Sequence, residues 1–304
     1  MPLSAPWPPP EPPSLVAGSP VRSELPGHGE VVATDAAAAA AHGFAVAAVL
    51  FDLDDTLLDA DAAWRTGVRR LTADRVPDLI DQELAVDAWA EVFPDWFDRY
   101  LLGELTLEES RAGRVRDWAR LIDAPLPAGD ELAWFDSYLV GYRAGWRLFA
   151  DVPDVLADLC GLPIGIVTNG DSEQQREKVV GLGLDLLVDV VVVSSEVGAA
   201  KPDPRMLLVA AERMGVDPAQ CLMVGDRLDR DVAAALAAGM GAVWLRRPDG
   251  PEADTVPPTA LGGRFAEIAS LDELPALALG WPCGLERRGA DAAADSLGGA
   301  AEAG

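Results

Sequence analysis

The chain is 304 residues long, half of them apolar, with 50 acidic against 24 basic side chains, a formal net charge of −26 and a pI near 4.2. That length can bury one large core or two modest ones, and the composition is that of a soluble globular protein. So acidic a balance excludes polymeric nucleic acid and anionic membranes as partners, since both require a basic face; an anionic substrate would need local positive charge from a metal, a lysine or backbone amides.

Residues 1–43 are rich in Pro, Ala and Gly, with Pro8-Pro9-Pro10 and an alanine run from Ala36 to Ala41, and read as a disordered tail. No basic stretch precedes an apolar one there, so no secretory signal is expected, and Ala36 to Phe51 is too short and too lightly apolar to span a bilayer. Both histidines, His28 and His42, fall in or beside this tail. Unless the tail folds back, histidine-activated nucleophiles, an HExxH zinc site and a histidine general base are excluded, which leaves carboxylate and lysine chemistry.

The folded region begins with Val46-Ala-Ala-Val-Leu-Phe51, an apolar run that reads as a buried strand and ends abruptly in Asp52, Asp54 and Asp55. Core packing does not ask for carboxylates there, whereas ligands of open α/β sheets bind just beyond the carboxyl ends of the strands. Side chains two apart on an extended chain point the same way, so Asp52 and Asp54 are expected to address one small volume, where two like charges need a cation or a shared proton.

Residues 60–150 change to a helical pattern. Thr106-Leu-Glu-Glu109 predicts a capping box opening a helix with Val115, Trp118, Ala119 and Ile122 on one face. Asp130 precedes a second helix whose apolar face is Leu132, Phe135, Leu139 and Tyr142. Six of the nine tryptophans lie in this block, between Trp64 and Trp146, with Phe93, Phe97, Tyr100 and Tyr138; most are expected to form a small bundle core, with one or two left to line a pocket. Arg111, Arg114, Arg116, Arg120, Arg143 and Arg147 are the positive charges of this block that could meet a second anionic group of a substrate, although arginines on helices are more often solvated.

Strand and helix patterns then alternate. Strands are predicted at Leu162 to Thr168, Leu187 to Ser194, Cys221 to Gly225 and Gly241 to Leu245, joined by helices at Glu173 to Gly181, Pro204 to Met214 and Asp231 to Ala238. The assembly implied is α/β, a doubly wound and mostly parallel sheet. Its strands run into Asp52 and Asp54, Thr168-Asn169-Gly170, Ser194-Ser195-Glu196 followed by Lys201-Pro-Asp-Pro204, and Gly225-Asp226-Arg-Leu-Asp-Arg-Asp231. Residues 282–304 turn again to Gly, Ala and charge and read as a second flexible tail. Cys160, Cys221 and Cys283 form neither a ligand-spaced cluster nor a disulfide framework, which points to a reducing cytoplasm.

The ordered set DLDDTL, IVTNG, KPDP and GDRLDRD resembles the four motifs of the haloacid dehalogenase superfamily over roughly Val46 to Pro248, and best its phosphatase branch with a helical cap inserted after the first strand. The resemblance implies a Rossmann-like core of residues 44–59 and 151–281, a cap of residues 60–150, and a Mg²⁺-dependent phosphatase acting on a small phosphorylated metabolite. It implies that Asp52 is the nucleophile, forming an aspartyl-phosphate, and Asp54 the general acid and base. Asp52, the backbone carbonyl of Asp54 and Asp226 would hold the metal, Thr168 and Asn169 the phosphoryl oxygens, and Lys201 the charge of the transition state, with Asp231 orienting Lys201 or metal-bound water. Asp55, Asp229 and Glu196 read as capping or solvated charges.

Other activities of the superfamily differ at legible positions. Carbon-halogen dehalogenases do not usually carry an acid two residues after the nucleophile, so Asp54 argues for phosphoryl transfer. A phosphonate-cleaving enzyme would want a cap lysine, but the two lysines, Lys178 and Lys201, both lie outside the cap. A phosphomutase shares the aspartate pair, and a non-catalytic regulatory module on this fold would be expected to lack a motif residue. Oligomeric state and the substrate's leaving group are not written in the motifs, which grip only the phosphoryl group.

Overall fold

Apolar residues at every position of a short strand require cover on both faces, and the structure, a computed structural model describing residues 46–248, 250, 252, 255 and 264–278, supplies it. On β1 (Ala48–Phe51) Val49 and Phe51 enter one core, while Ala48 and Leu50 enter another on the opposite face. The same alternation recurs on β4 (Cys221–Gly225), with Leu222 and Val224 against Cys221 and Met223, and on β5 (Gly241–Leu245), with Val243 and Leu245 against Ala242 and Trp244.

Six parallel strands lie in the order β3-β2-β1-β4-β5-β6, where β2 is Ile164–Thr168, β3 Val190–Val193 and β6 Phe265–Ile268. The chain runs outward from β1 in one direction and then, from β4, in the other, so β1 and β4 flank the switch point at which ligands enter such sheets. Around the sheet pack α5 (Val152–Asp158), α6 (Ser172–Gly181), α7 (Ser194–Val197), α8 (Arg205–Met214), α9 (Ala233–Ala237) and α10 (Leu274–Ala278). The doubly wound α/β architecture is as expected; β3 is shorter than predicted, because Leu187 N–H closes the preceding 3₁₀ turn (Leu184–Leu186) on the Leu184 carbonyl at 3.0 Å and the Asp189 side chain accepts from the Ile164 N–H at 2.8 Å. The segment expected to be helical from Asp231 opens as a single π turn, Leu228–Val232, before α9. The predicted tails, residues 1–43 and 282–304, lie outside the described residues, as do both histidines and Cys283.

Between β1 and α5 the chain leaves the sheet for four helices: α1 (Ala60–Arg75), α2 (Gln82–Leu101), α3 (Leu107–Leu121) and α4 (Glu131–Ala144). They carry their own core, including Trp89, Val115, Trp118, Trp134, Phe135 and Tyr138. The predicted capping box is present in both directions, Glu109 N–H to Thr106 Oγ1 at 3.1 Å and Thr106 N–H to Glu109 Oε2 at 2.8 Å. Leu132, expected on the buried face of α4, is 40% exposed, whereas Phe135, Leu139 and Tyr142 are buried. α1 and α4 pack with almost no space between backbones: a Cβ on Gly141 would lie 2.8 Å from the Thr66 carbonyl oxygen and 3.0 Å from the Gly67 Cα. No helix of the described residues is long and apolar enough to cross a membrane.

The two strands of chain entering and leaving the helical block run side by side. Asp59 N–H donates to the Arg147 carbonyl at 3.0 Å, Phe149 N–H to the Leu57 carbonyl at 3.0 Å, and Arg147 Nη2 pairs with Asp59 Oδ2 at 2.7 Å. Beneath this junction Arg247 donates to both Asp151 oxygens at 2.9 and 3.0 Å and to the Thr56 carbonyl at 3.1 Å, while Asp151 also accepts from Leu271 N–H and Ser270 Oγ. One carboxylate thereby joins the start of α5, the end of β5 and the turn after β6.

Burial pushes the Asp151 carboxyl up, but Arg247, Leu271 N–H and Ser270 outweigh it and hold it below the usual range. A depressed folded value means the stabilisation is complete above the ordinary carboxylate range, about pH 4, and is lost as pH falls through the folded value. Asp151→Asn should therefore cost about 2 kcal/mol at pH 7 in urea denaturation, with the gap from wild type narrowing toward pH 3. A gap that stayed constant with pH would contradict the ionised role of Asp151.

Candidate active site

Asp52, the first residue past β1, is buried, and its N–H completes the ladder by donating to the Val224 carbonyl at 2.9 Å. Lys201 Nζ reaches it at 2.5 Å, and the same ammonium touches Asp231 Oδ1 at 2.6 Å and the Val167 carbonyl at 2.8 Å. Burial alone would lower the Lys201 pKa; Asp231 and Asp52 overcome that and raise it, so the ammonium stays charged. Asn169 holds the lysine's backbone at both ends, Nδ2 to the Lys201 carbonyl at 3.0 Å and Lys201 N–H to Oδ1 at 2.8 Å.

Asp226, just past β4, is buried beside Asp52. Its N–H donates to Thr56 Oγ1 at 3.1 Å, Thr56 Oγ1 donates to its Oδ1 at 3.3 Å, and its carbonyl accepts from Trp244 Nε1 at 2.9 Å. Asp52, Asp226 and Asp231 each bring a carboxylate oxygen within 4.8 Å of the others. Burial pushes the Asp52 carboxyl up to about 7 against the pull of Lys201, and burial with the Asp231, Asp52 and Asp55 charges pushes Asp226 well above the carboxylate range. Three buried carboxylates sharing one ammonium are short of positive charge, and an all-oxygen donor set suits a hard dication such as Mg²⁺.

Asp54 lines the same cavity as Asp52 but has different neighbours. Lys178 Nζ, on α6 and buried, contacts its two oxygens at 2.7 and 2.9 Å, and Gln175 Nε2 donates to Oδ2 at 2.9 Å. The charge immediately beside Asp54 is therefore an ammonium. Gln175 also bonds Thr168 Oγ1 at 2.5 Å, so one amide connects the end of β2 with Asp54. Nothing in the sequence marks Lys178 and Gln175 as site residues, although both lie on the helix that follows the Thr168-Asn169-Gly170 turn.

The remaining sequence candidates fall where local chemistry puts them. Asp55 takes a left-handed φ of 61° and accepts from Asp61 N–H at 2.8 Å near the start of α1; burial pushes its carboxyl up to about 7. Asp229 pairs with Arg227 and is exposed, and Glu196 pairs with Arg176 and Ser172. Arg116, Arg120, Arg143 and Arg147 are exposed as expected. Arg114 is not: it is buried among Phe93, Trp89 and Phe135, and burial lowers its guanidinium to about 10.

All of this surrounds a cavity of about 370 Å³ between the strand ends and the helical block. Its aromatic lining is larger than expected, with Trp64, Trp89, Phe93, Phe97, Tyr100 and Phe135 contributing, and Phe93 stacks on Phe97 at 5.3 Å. The helical block contacts the elements packed around the sheet through Arg230 Nη2 to Asp98 Oδ1 at 2.5 Å, Arg111 Nη2 to Gln174 Oε1 at 3.0 Å and Arg143 Nε to Glu177 Oε1 at 2.8 Å.

Residues 46–239 match the family model described as haloacid dehalogenase-like hydrolase. The chain is 46% identical over 229 residues to a phosphoserine phosphatase of Thermus thermophilus, covering 67% of this chain and 92% of that protein. It is 34% identical over 218 residues to a glyceraldehyde 3-phosphate phosphatase of Methanopyrus kandleri, covering 66% and 84%. Among solved structures, a HAD-hydrolase of Bacillus subtilis bound to magnesium superposes with a TM-score of 0.62 at 24% identity, over 77% of this chain and 99% of that one, a likeness of fold.

Asp231 reaches Lys201 only because β4 ends in glycine: a Cβ on Gly225 would lie 2.3 Å from Asp231 Cγ and Oδ2. Gly225→Ala should destabilise the protein by about 1 to 3 kcal/mol in urea denaturation, with the Asp231 carboxylate turned away from Lys201 in a crystal structure of the variant. Unchanged stability and an intact ion pair would show that the contact has slack.

Proposed function

The chain belongs to the haloacid dehalogenase-like hydrolases, and from that premise we propose that it hydrolyses a small phosphomonoester through an aspartyl-phosphate on Asp52. The observation that carries this reading is the convergence of Asp52, Lys201, Asp226 and Thr168 at the ends of adjacent parallel strands, with Asp54 reaching the same cavity.

In the first step a carboxylate oxygen of Asp52 attacks phosphorus, the phosphorus–oxygen bond to the leaving group breaks, and Asp54 gives that oxygen its proton. In the second, Asp54 takes a proton from water as it attacks the aspartyl-phosphate, inorganic phosphate departs and the Asp52 carboxylate is restored. Lys201 already spans Asp52 and is placed to meet the charge of the transferring group, with the Thr168 hydroxyl and the Asn169 backbone as further donors. The Asn169 side chain itself is occupied in holding Lys201. Lys178 and Gln175 fix the position of the Asp54 carboxylate within the cavity.

Mg²⁺ held by Asp52, Asp226 and the Asp54 carbonyl would supply charge neutralisation between the carboxylates and the phosphoryl oxygens. Asp231, which bonds Arg227 N–H at 3.0 Å and contacts Lys201, supports the ammonium. The helical block would close over the leaving group and exclude water.

Assayed against a panel of phosphometabolites, the wild-type protein should release phosphate only with Mg²⁺ present. Asp52→Asn should form no phosphoenzyme, and Asp54→Asn should slow turnover by about 10²- to 10⁴-fold. A labelled phosphoenzyme of normal yield in Asp52→Asn would remove Asp52 from the role of nucleophile. Lys178 acts through Asp54, so Lys178→Met should lower kcat by about 10- to 100-fold with KM little changed; a change confined to KM would instead mean that Lys178 binds substrate.

A further inference from the structure

In a chain with 50 acidic residues, most cations have a carboxylate at hand. On α3, Arg116 pairs with Glu131 at 3.5 Å and Arg120 with Asp117 at 3.2 Å. Arg111 and Arg114, on the same helix and three residues apart, line the cavity with Asp52, Thr168 and Lys201, and among the described residues neither has a carboxylate partner. Arg111 makes one side-chain hydrogen bond, to the neutral Gln174, and lies 5.2 Å from the Phe135 ring. Arg114 makes none. It is 6% exposed, its Nε is buried without a partner, and its guanidinium lies 4.4 Å from the Phe93 ring and 5.7 and 5.8 Å from those of Phe135 and Trp89.

Aromatic faces attract a cation but accept none of the five N–H donors that a guanidinium carries. Arg111, three residues away on the helix, adds like-charge repulsion. Burial lowers Arg114 only to about 10, so it remains charged at neutral pH. A buried, unpaired fork of donors beside a second arginine is costly in the free protein and becomes favourable when a planar or tetrahedral oxyanion arrives. The transferring phosphoryl group has its own donors at the strand ends, so the arginines of the helical block are free for a different group.

We propose that Arg114, with Arg111 beside it, is an oxyanion subsite for a second anionic group on the substrate, a carboxylate or a second phosphate; this assignment rests on the phosphatase reading above. The substrate class is then a small phosphomonoester whose leaving group is itself anionic, of a size that a cavity of about 370 Å³ admits.

Non-hydrolysable ligands test this without turnover. With Mg²⁺ present, calorimetry would compare 3-phosphonopropionate, propane-1,3-bisphosphonate and propylphosphonate, which share a phosphonate and differ in the second group. One of the first two should bind at least about 30-fold tighter than propylphosphonate, and which one does so distinguishes carboxylate from phosphate. Arg114→Leu should abolish that ratio, Arg111→Leu should reduce it, and Arg116→Leu, on the exposed side of the helix, should leave it intact. Circular dichroism would check the fold of each variant, and the partly exposed Arg111 position keeps the test decisive if Arg114→Leu fails to fold. Equal affinities, no binding of any of the three, or a ratio that survives both substitutions would overturn the subsite. Because binding alone is read, an inactive protein in the phosphate-release assay would count against the phosphatase reading and leave this result standing on its own.

Discussion

One buried ammonium ties the strand ends together. Lys201 sits with Asp52, Asp231 and the Val167 carbonyl in a place where an unpaired charge would be strongly destabilising. Several local features exist only to make that arrangement possible: Asn169 grips the lysine's backbone on both sides, and Gly225 leaves the space into which Asp231 fits. Through this network the end of β1, the end of β2, the loop after β3 and the turn after β4 are held in one geometry. Removing either carboxylate from the lysine would loosen all four, because each is positioned by the same three or four bonds.

The second consequence is that the two aspartates of the first motif become chemically different. Asp52 sits among carboxylates and shares Lys201 with Asp231, whereas Asp54, two residues on, is held by Lys178 and Gln175 of α6. A nucleophile needs a bare carboxylate aimed at phosphorus, and an acid needs a proton that comes and goes. Under the proposed mechanism those two tasks fall to two groups of the same kind, told apart by position and neighbours rather than by residue type.

What could be read in the sequence follows from how local each signal is. β1, β4 and β5 are continuous apolar runs with clear ends, and the residues at their ends are set by the parallel topology, so Asp52, Thr168, Lys201 and Asp226 were visible as a group. β6, with Glu267 in its four residues and partial exposure over most of them, has no such signature. The burial of Arg114 is not legible locally, because helix periodicity says which side a residue faces but not what stands on the other side, and the partners that bury it come from α2 and α4. Lys178 was hidden for the same reason: its importance lies in a contact with Asp54, 124 positions earlier in the chain.

A net charge of −26 and an anionic substrate are compatible because the two act over different ranges. The field of the whole chain is screened beyond about 10 Å at 0.1 M salt, while contacts in a partly closed, apolar cavity are screened far less. Within that short range the chain has concentrated its positive charge: both of its lysines, together with Arg111 and Arg114, face the cavity. Lys178 and Lys201 are already committed to Asp54 and to the Asp52 and Asp231 pair, so in the proposed mechanism they organise the carboxylates. Arg111 and Arg114 on α3 are committed to no acid among the described residues, and they belong to the block proposed to close over the leaving group. On the proposed reading, the charges around the strand ends handle phosphorus, and those of the helical block are left over to recognise what phosphorus is attached to.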